Sequence, residues 1–111
     1  MARERPFIAV YILTNEAYGT LYIGVTSDLY NRIRQHRAGT FDGHTKKYGL
    51  TRLVWFEPQE TMVAAIKREK SLKRYMRDWK INLIERDNPG WLDLSLDWDR
   101  PPEWRHGPTD Q

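Results

Sequence analysis

Residues 21 to 39 read Leu21-Tyr22-Ile23-Gly24-Val25-Thr26-Ser27-Asp28-Leu29-Tyr30-Asn31-Arg32-Ile33-Arg34-Gln35-His36-Arg37-Ala38-Gly39. The stretch opens as a short apolar strand, reaches Gly24, passes through a Thr-Ser-Asp cap and becomes a basic helix. Ser27 or Asp28 caps that helix, and Gly39 ends it after Ala38. Leu29 and Ile33 form its apolar stripe. Arg32 and His36, four residues apart, share one face at the edge of the stripe and can lean into a cleft. A tyrosine at a strand end beside such a pair makes a candidate phosphate site.

Upstream, Phe7 to Thr14 is a β-rich and nearly continuous apolar run, the pattern of a strand covered on both faces. Asn15 to Thr20 carries turn chemistry. A β-hairpin with Leu21 to Val25 follows, bringing Tyr11 and Tyr22 near one another. Gly24 at the strand end permits close approach of backbone or ligand. Downstream, Gly39 to Leu50 has the composition of a loop with two adjacent lysines, Lys46 and Lys47, and an aromatic, Tyr48. Arg52 to Phe56 is a third strand, closed by Glu57-Pro58.

Thr61 caps a helix that runs to about Tyr75, with Met62, Ile66, Glu69, Leu72 or Lys73, and Met76 recurring at steps of three and four. Glu69 thus stands on the inward stripe where an apolar residue is expected. Burying a carboxylate without compensation costs several kcal/mol. Glu69 therefore needs either a neighbouring Lys or Arg or a metal ion. Met76 to Arg86 forms a further helix with Trp79, Leu83 and Ile84 as expected core, ended by Asn88-Pro89-Gly90.

These elements give an α+β fold, a small antiparallel three-stranded sheet flanked by helices in the order β-β-α-β-α-α. One domain is expected over residues 1–95, followed by an acidic tail over 96–111 that contains Pro, Trp98 and Trp104. At 111 residues the chain holds one modest core. It has no cysteine, which excludes disulfides and thiolate metal sites. No apolar run is long enough to span a bilayer, and the start lacks a signal-peptide core, so a cytoplasmic protein is expected. The net charge of +3 conceals an asymmetry: residues 1–87 hold 16 Lys+Arg against 10 Asp+Glu, residues 88–111 hold 2 against 5. A basic body favours a polyanionic partner.

Tyr11, Tyr22, Arg32, His36 and Glu69 can converge at one edge of such a fold. The set suits metal-assisted phosphodiester hydrolysis, which needs a base for water, charge compensation for the departing oxyanion and a cation at the phosphate. The chain has no Walker loop, His/Cys cluster or Gly-x-Ser-x-Gly elbow.

With these residues assembled, the chain resembles the GIY-YIG nuclease family over roughly residues 6 to 95. Ala9-Val10-Tyr11 stands where the family has its first triplet, and Tyr22-Ile23-Gly24 matches the second. The likeness continues through Arg32, His36, Lys46-Lys47-Tyr48 and Ala65 to Lys70. It extends into Trp79-Lys80-Ile81, Asn88-Pro89 and Trp91 to Leu94, which look like the small stand-alone bacterial branch. The resemblance implies a DNA endonuclease, with structure selectivity open and RNA not excluded. Glu69 would hold one divalent cation, Mg²⁺ or Mn²⁺, and Tyr11 or Tyr22 would be the base. Arg32 would stabilise phosphate charge, His36 would assist proton transfer, and Tyr48 would support the site. Arg34, Lys46, Lys47 and Lys73 would bind the nucleic-acid backbone. A tyrosine base, titrating near ~10 when free, would need neighbouring cations to depress it. The chain departs from excision-repair relatives at Val25, where some carry lysine, and the resemblance leaves open whether Asn82 or Asn88 takes the supporting polar role. A homodimer or a recruiting protein stays open. So do two further readings, a non-catalytic nucleic-acid-binding module of this fold and a protein-binding domain anchored by Trp98 and Trp104.

Overall fold

A computed structural model describes residues 7–39, 44–96 and 98, residues 44 and 45 by their backbone. Readings that fall on residues 1–6, 40–43, 97 and 99–111, including Trp104, lie outside the described residues.

The apolar run forms β1 (Ala9–Thr14), and the hairpin partner is β2 (Leu21–Thr26). They pair antiparallel, with Tyr11 opposite Gly24 and Leu13 opposite Tyr22. Strand β3 (Arg52–Pro58) lies antiparallel on the other side of β1, giving the sheet order β2-β1-β3. Every residue of β1 is buried, the outcome expected of a central strand with both faces covered. The expected α+β order of elements holds, with one addition: what reads as a plain loop contains a helical turn, α2 (His44–Lys47).

Helix α1 (Leu29–Ala38) covers one face of the sheet. Asp28 is the cap of the two candidates, its side chain accepting from the Asn31 amide at 3.1 Å. Gly39 ends the helix at φ 71°, a left-handed turn that glycine adopts without strain. Leu29 and Ile33 pack there with Ala9, Tyr11, Leu13, Leu50 and Leu53. The opposite face carries α3 (Met62–Lys73) and α4 (Arg77–Asp87), where Ala65, Leu72, Ile84 and Trp91 pack on Val10, Ile12, Ile23, Val54 and Trp55. A bulge in the β1–β3 ladder between Ile12 and Leu13 lets Val54 and Trp55 both serve this second core while Leu53 and Phe56 serve the first.

Thr61 caps α3 as expected, accepting from the Ala64 amide at 3.1 Å. The inward stripe of α3 is rotated from its expected line. Ala65 and Leu72 are buried, whereas Ile66 and Met76 are exposed. Trp79 is also exposed rather than core, its ring edge-on to Tyr75 at 5.5 Å. The chain breaks helix at residues 74–76, and α4 restarts in a new phase that turns Ile84 inward and Trp79 outward.

The C-terminal segment closes the β3 side. Asn88 is the buried polar residue of the two candidates, and Asn82 is exposed. Its amide nitrogen donates to the Val54 and Leu92 carbonyls at 3.1 and 2.9 Å, and its oxygen accepts from the Leu92 amide at 3.0 Å. Asp93 accepts from the Leu53 amide and pairs with Arg37 of α1 at 3.4 Å. Trp98 stacks on Tyr30 and meets Phe56 edge-on.

Candidate active site

The hairpin register puts Tyr11, Tyr22 and Gly24 on the sheet face that α1 covers, and the four-residue spacing aims Arg32 and His36 at the same place. The ring centroids of Tyr11 and Tyr22 are 6.3 Å apart, and each lies 5.9 Å from His36. The Tyr11 hydroxyl lies 3.1 Å from His36 Nε2 in a buried setting. Arg32 stands close enough to that hydroxyl for its charge to favour the phenolate. Gly24 makes the arrangement possible: a Cβ there would sit 2.5 Å from both Cζ and Oη of Tyr11. Gly24 lies within β2 rather than at the strand end expected, and there it admits a phenol ring of the protein itself.

The two titratable partners are pushed in opposite directions. Burial raises Tyr11 well above the ordinary phenol range, helped by neighbouring Tyr22; Arg32 opposes the shift without overcoming it, and Glu69 adds to it. Burial first, then the charge of Arg32, lowers His36 from 6.5 to about 4. At neutral pH the phenol therefore keeps its proton and shares a hydrogen bond with a neutral imidazole. The expected depression of a base tyrosine is not met at Tyr11 in the protein alone, because desolvation outweighs one guanidinium.

Glu69 comes from α3, the helix on the opposite face, yet its charge is felt at Tyr11. Its side chain is mostly buried at 14% exposure, and its Oε2 lies 2.8 Å from Lys73 Nζ. The lysine partner is one of the two forms of compensation the sequence demands. Among the described residues no group of three or more His, Cys, Asp or Glu side chains could enclose a metal ion. A cation at Glu69 would thus take one protein carboxylate, with water and substrate oxygens completing its shell, a donor set that fits Mg²⁺ or Mn²⁺.

The remaining candidates stand further out on the surface. Lys46 and Lys47 are exposed on α2, with Lys47 Nζ 5.4 Å above the ring of half-exposed Tyr48. Arg34 lines a cleft of about 450 Å³ on α1 with Tyr30, Arg37 and Ala38. Lys73 joins Lys80, Leu21, Tyr22 and Ile23 around a groove of about 240 Å³ along β2. Lys80 is absent from the sequence-derived set; the helix break before α4 hides that it shares a groove with Lys73. Among the described residues no helix is long and apolar enough to cross a membrane.

Comparison with known proteins bears on this geometry. The family model "GIY-YIG catalytic domain" matches residues 7–82. A UPF0213 protein of Haloquadratum walsbyi is 39% identical over 66 residues, covering 60% of this chain and 74% of that one. A UPF0213 protein of Staphylococcus aureus is 37% identical over 67 residues, 60% of this chain and 82% of its own. The solution NMR structure of a UPF0213 protein from Bacillus halodurans superposes with a TM-score of 0.50 at 28% identity, covering 80% of this chain and 95% of that one. The chain belongs to the GIY-YIG family, among its small UPF0213 proteins.

Proposed function

We propose that the protein is a metal-dependent endonuclease that hydrolyses phosphodiester bonds in DNA. The observation that carries this reading is the convergence of Tyr22, Arg32 and His36 around the buried Tyr11 hydroxyl, with Glu69 in electrostatic range.

Each side chain has a physical task. His36 shares a hydrogen bond with the Tyr11 hydroxyl, which fixes the phenol where Arg32 and an attacking water can reach its oxygen. Tyr11 becomes a base only when positive charge beyond Arg32 gathers beside it, since burial otherwise holds its proton in place. Glu69 would hold the divalent cation, which when bound supplies Lewis-acid neutralisation of the phosphate's charge. Arg32 faces the same phosphate and stabilises charge developing on it. Tyr22 packs against both Tyr11 and His36 and keeps their rings in register. Tyr48 supports the rim, and Arg34, Lys46, Lys47 and Lys73 follow the backbone of the bound strand.

The test is cleavage of labelled duplex, single-stranded, flap and branched DNA by wild type and Glu69→Ala, with Mg²⁺, Mn²⁺ or EDTA. Wild type is expected to cut in the presence of either ion. The variant should fall to about a hundredth of wild type or less, the scale of losing one transition-state charge partner, while still binding DNA. A variant that cuts as well as wild type would sink the mechanism. Salt-sensitive binding with no cutting by wild type would replace it with a non-catalytic binding module.

A further inference from the structure

The groove along β2 carries two positive side chains, Lys73 from α3 and Lys80 from α4, over a floor of Leu21, Tyr22 and Ile23. Its volume of about 240 Å³ matches roughly eight liquid waters. That is room for a phosphate group with part of its sugar, and Tyr22 joins it directly to the cluster around Tyr11. Lys73 has a second attachment, since its Nζ lies 2.8 Å from Glu69 Oε2. The lysine end of this pair is 55% exposed whereas the glutamate is mostly buried. The lysine is therefore the cheaper partner to move, on a flexible four-carbon stem.

We propose that this groove is a phosphate subsite for the substrate strand, and that Lys73 swings into it from Glu69 when a divalent cation takes its place on the carboxylate. The inference rests on the endonuclease reading above and adds a division of labour between the two lysines. An ammonium at 2.8 Å occupies the oxygen that a cation must ligate, and a divalent charge beside it repels it. The displaced ammonium already borders the groove, where an incoming phosphodiester, drawn there by Lys80 as well, gives it an opposite charge to meet. Cation and strand then bind cooperatively, and by linkage each tightens the other by the same factor. Without the cation, Lys73 stays paired with Glu69 at the border of the groove.

Two binding measurements test this, neither of which needs turnover. Mn²⁺ titration of the protein alone, followed by electron paramagnetic resonance, should show Lys73→Met binding the ion about two- to tenfold more tightly than wild type, as expected for removing a weakly held competitor. Lys80→Met should match wild type. Fluorescence anisotropy with a fluorescein-labelled flap DNA, in EDTA and in Ca²⁺, gives the second arm. Wild type should bind several-fold more tightly in Ca²⁺, with a salt slope steeper by about one. Lys73→Met should lose that increment, and Lys80→Met should weaken binding in both conditions. Thermal melts establish that both variants fold. Unchanged or weaker Mn²⁺ affinity in Lys73→Met would overturn the exchange. Wild-type affinity and slope in Lys80→Met would overturn the subsite. Failure of wild type to bind the DNA in either condition would instead overturn the endonuclease reading, a result the DNA-free Mn²⁺ arm keeps separate.

Discussion

Residue 24 is decided by the residue opposite it. The Tyr11 ring lies across the Gly24 backbone so closely that one added methyl would overlap the phenol. Gly24→Ala should cost about 1–3 kcal/mol of stability, the usual penalty for overpacking. It should lower cleavage by about a hundredfold, because a displacement near 1 Å at the chemistry has that effect. Urea midpoints and single-turnover rates would measure both, and wild-type rates would show that Tyr11 need not lie where it does. His36 makes a separate demand. Its folded pKa of about 4 lies below the ordinary 6.5, so the unfolded chain binds more protons between those values. Its contribution to stability is therefore complete above pH 6.5 and lost as pH falls through the window, by up to about 3 kcal/mol at pH 4. Urea titrations at pH 7 and 4.5 should show the loss, and His36→Gln should flatten it. An equal loss in the variant would assign the titration elsewhere.

Among the elements, β3 depends on a segment that is neither helix nor strand. Asn88 satisfies the Val54 carbonyl from inside the core and ties both backbone groups of Leu92 to the end of α4. Asn88→Ala leaves these groups without partners. A loss of roughly 2–4 kcal/mol is expected, seen as a fall in Tm of roughly 10–20 °C; a shift of a degree or two would mean that water replaces the side chain. The sequence identifies the three strands, the cap at Thr61 and the covered faces of β1, and narrows the α1 cap to Ser27 or Asp28, because each rests on neighbours within a few positions. It assigns the buried line of α3 less well. Ala65 is too small to register as core, and the large Ile66 and Met76 draw the stripe toward themselves. Trp79 fails for a related reason, since the phase of α4 depends on a break three residues long. The tyrosine, arginine and histidine positions are legible because strand register and helical spacing fix them. Lys80 is not, since its groove exists only after α3 has packed on β2 and α4 on β3.

Across the whole molecule, the candidate groups come from both faces of a sheet only three strands wide. Tyr11, Tyr22, Arg32 and His36 belong to the α1 side, and Glu69 belongs to the helix on the other side. The far end of the hairpin is tied down independently. Tyr18, at a positive φ of 61°, donates to Glu85 at 2.5 Å, as does the Trp91 indole at 2.7 Å. Arg77 holds the carbonyls of Tyr18 and Gly19 at 2.6 and 2.7 Å. This clasp joins the β1–β2 turn to α4, so the lever carrying Tyr22 and Gly24 is anchored at its base. The outer edge of β2 then acquires a meaning of its own. A bare strand edge invites another chain to pair with it, and proteins commonly discourage that with charge, lysine above all. Here β2 ends the sheet, and Lys73 and Lys80 stand along the groove beside it. Two copies approaching edge to edge would bring four ammonium groups together, so the same pair of lysines that invites a polyanion turns away the protein's own likeness.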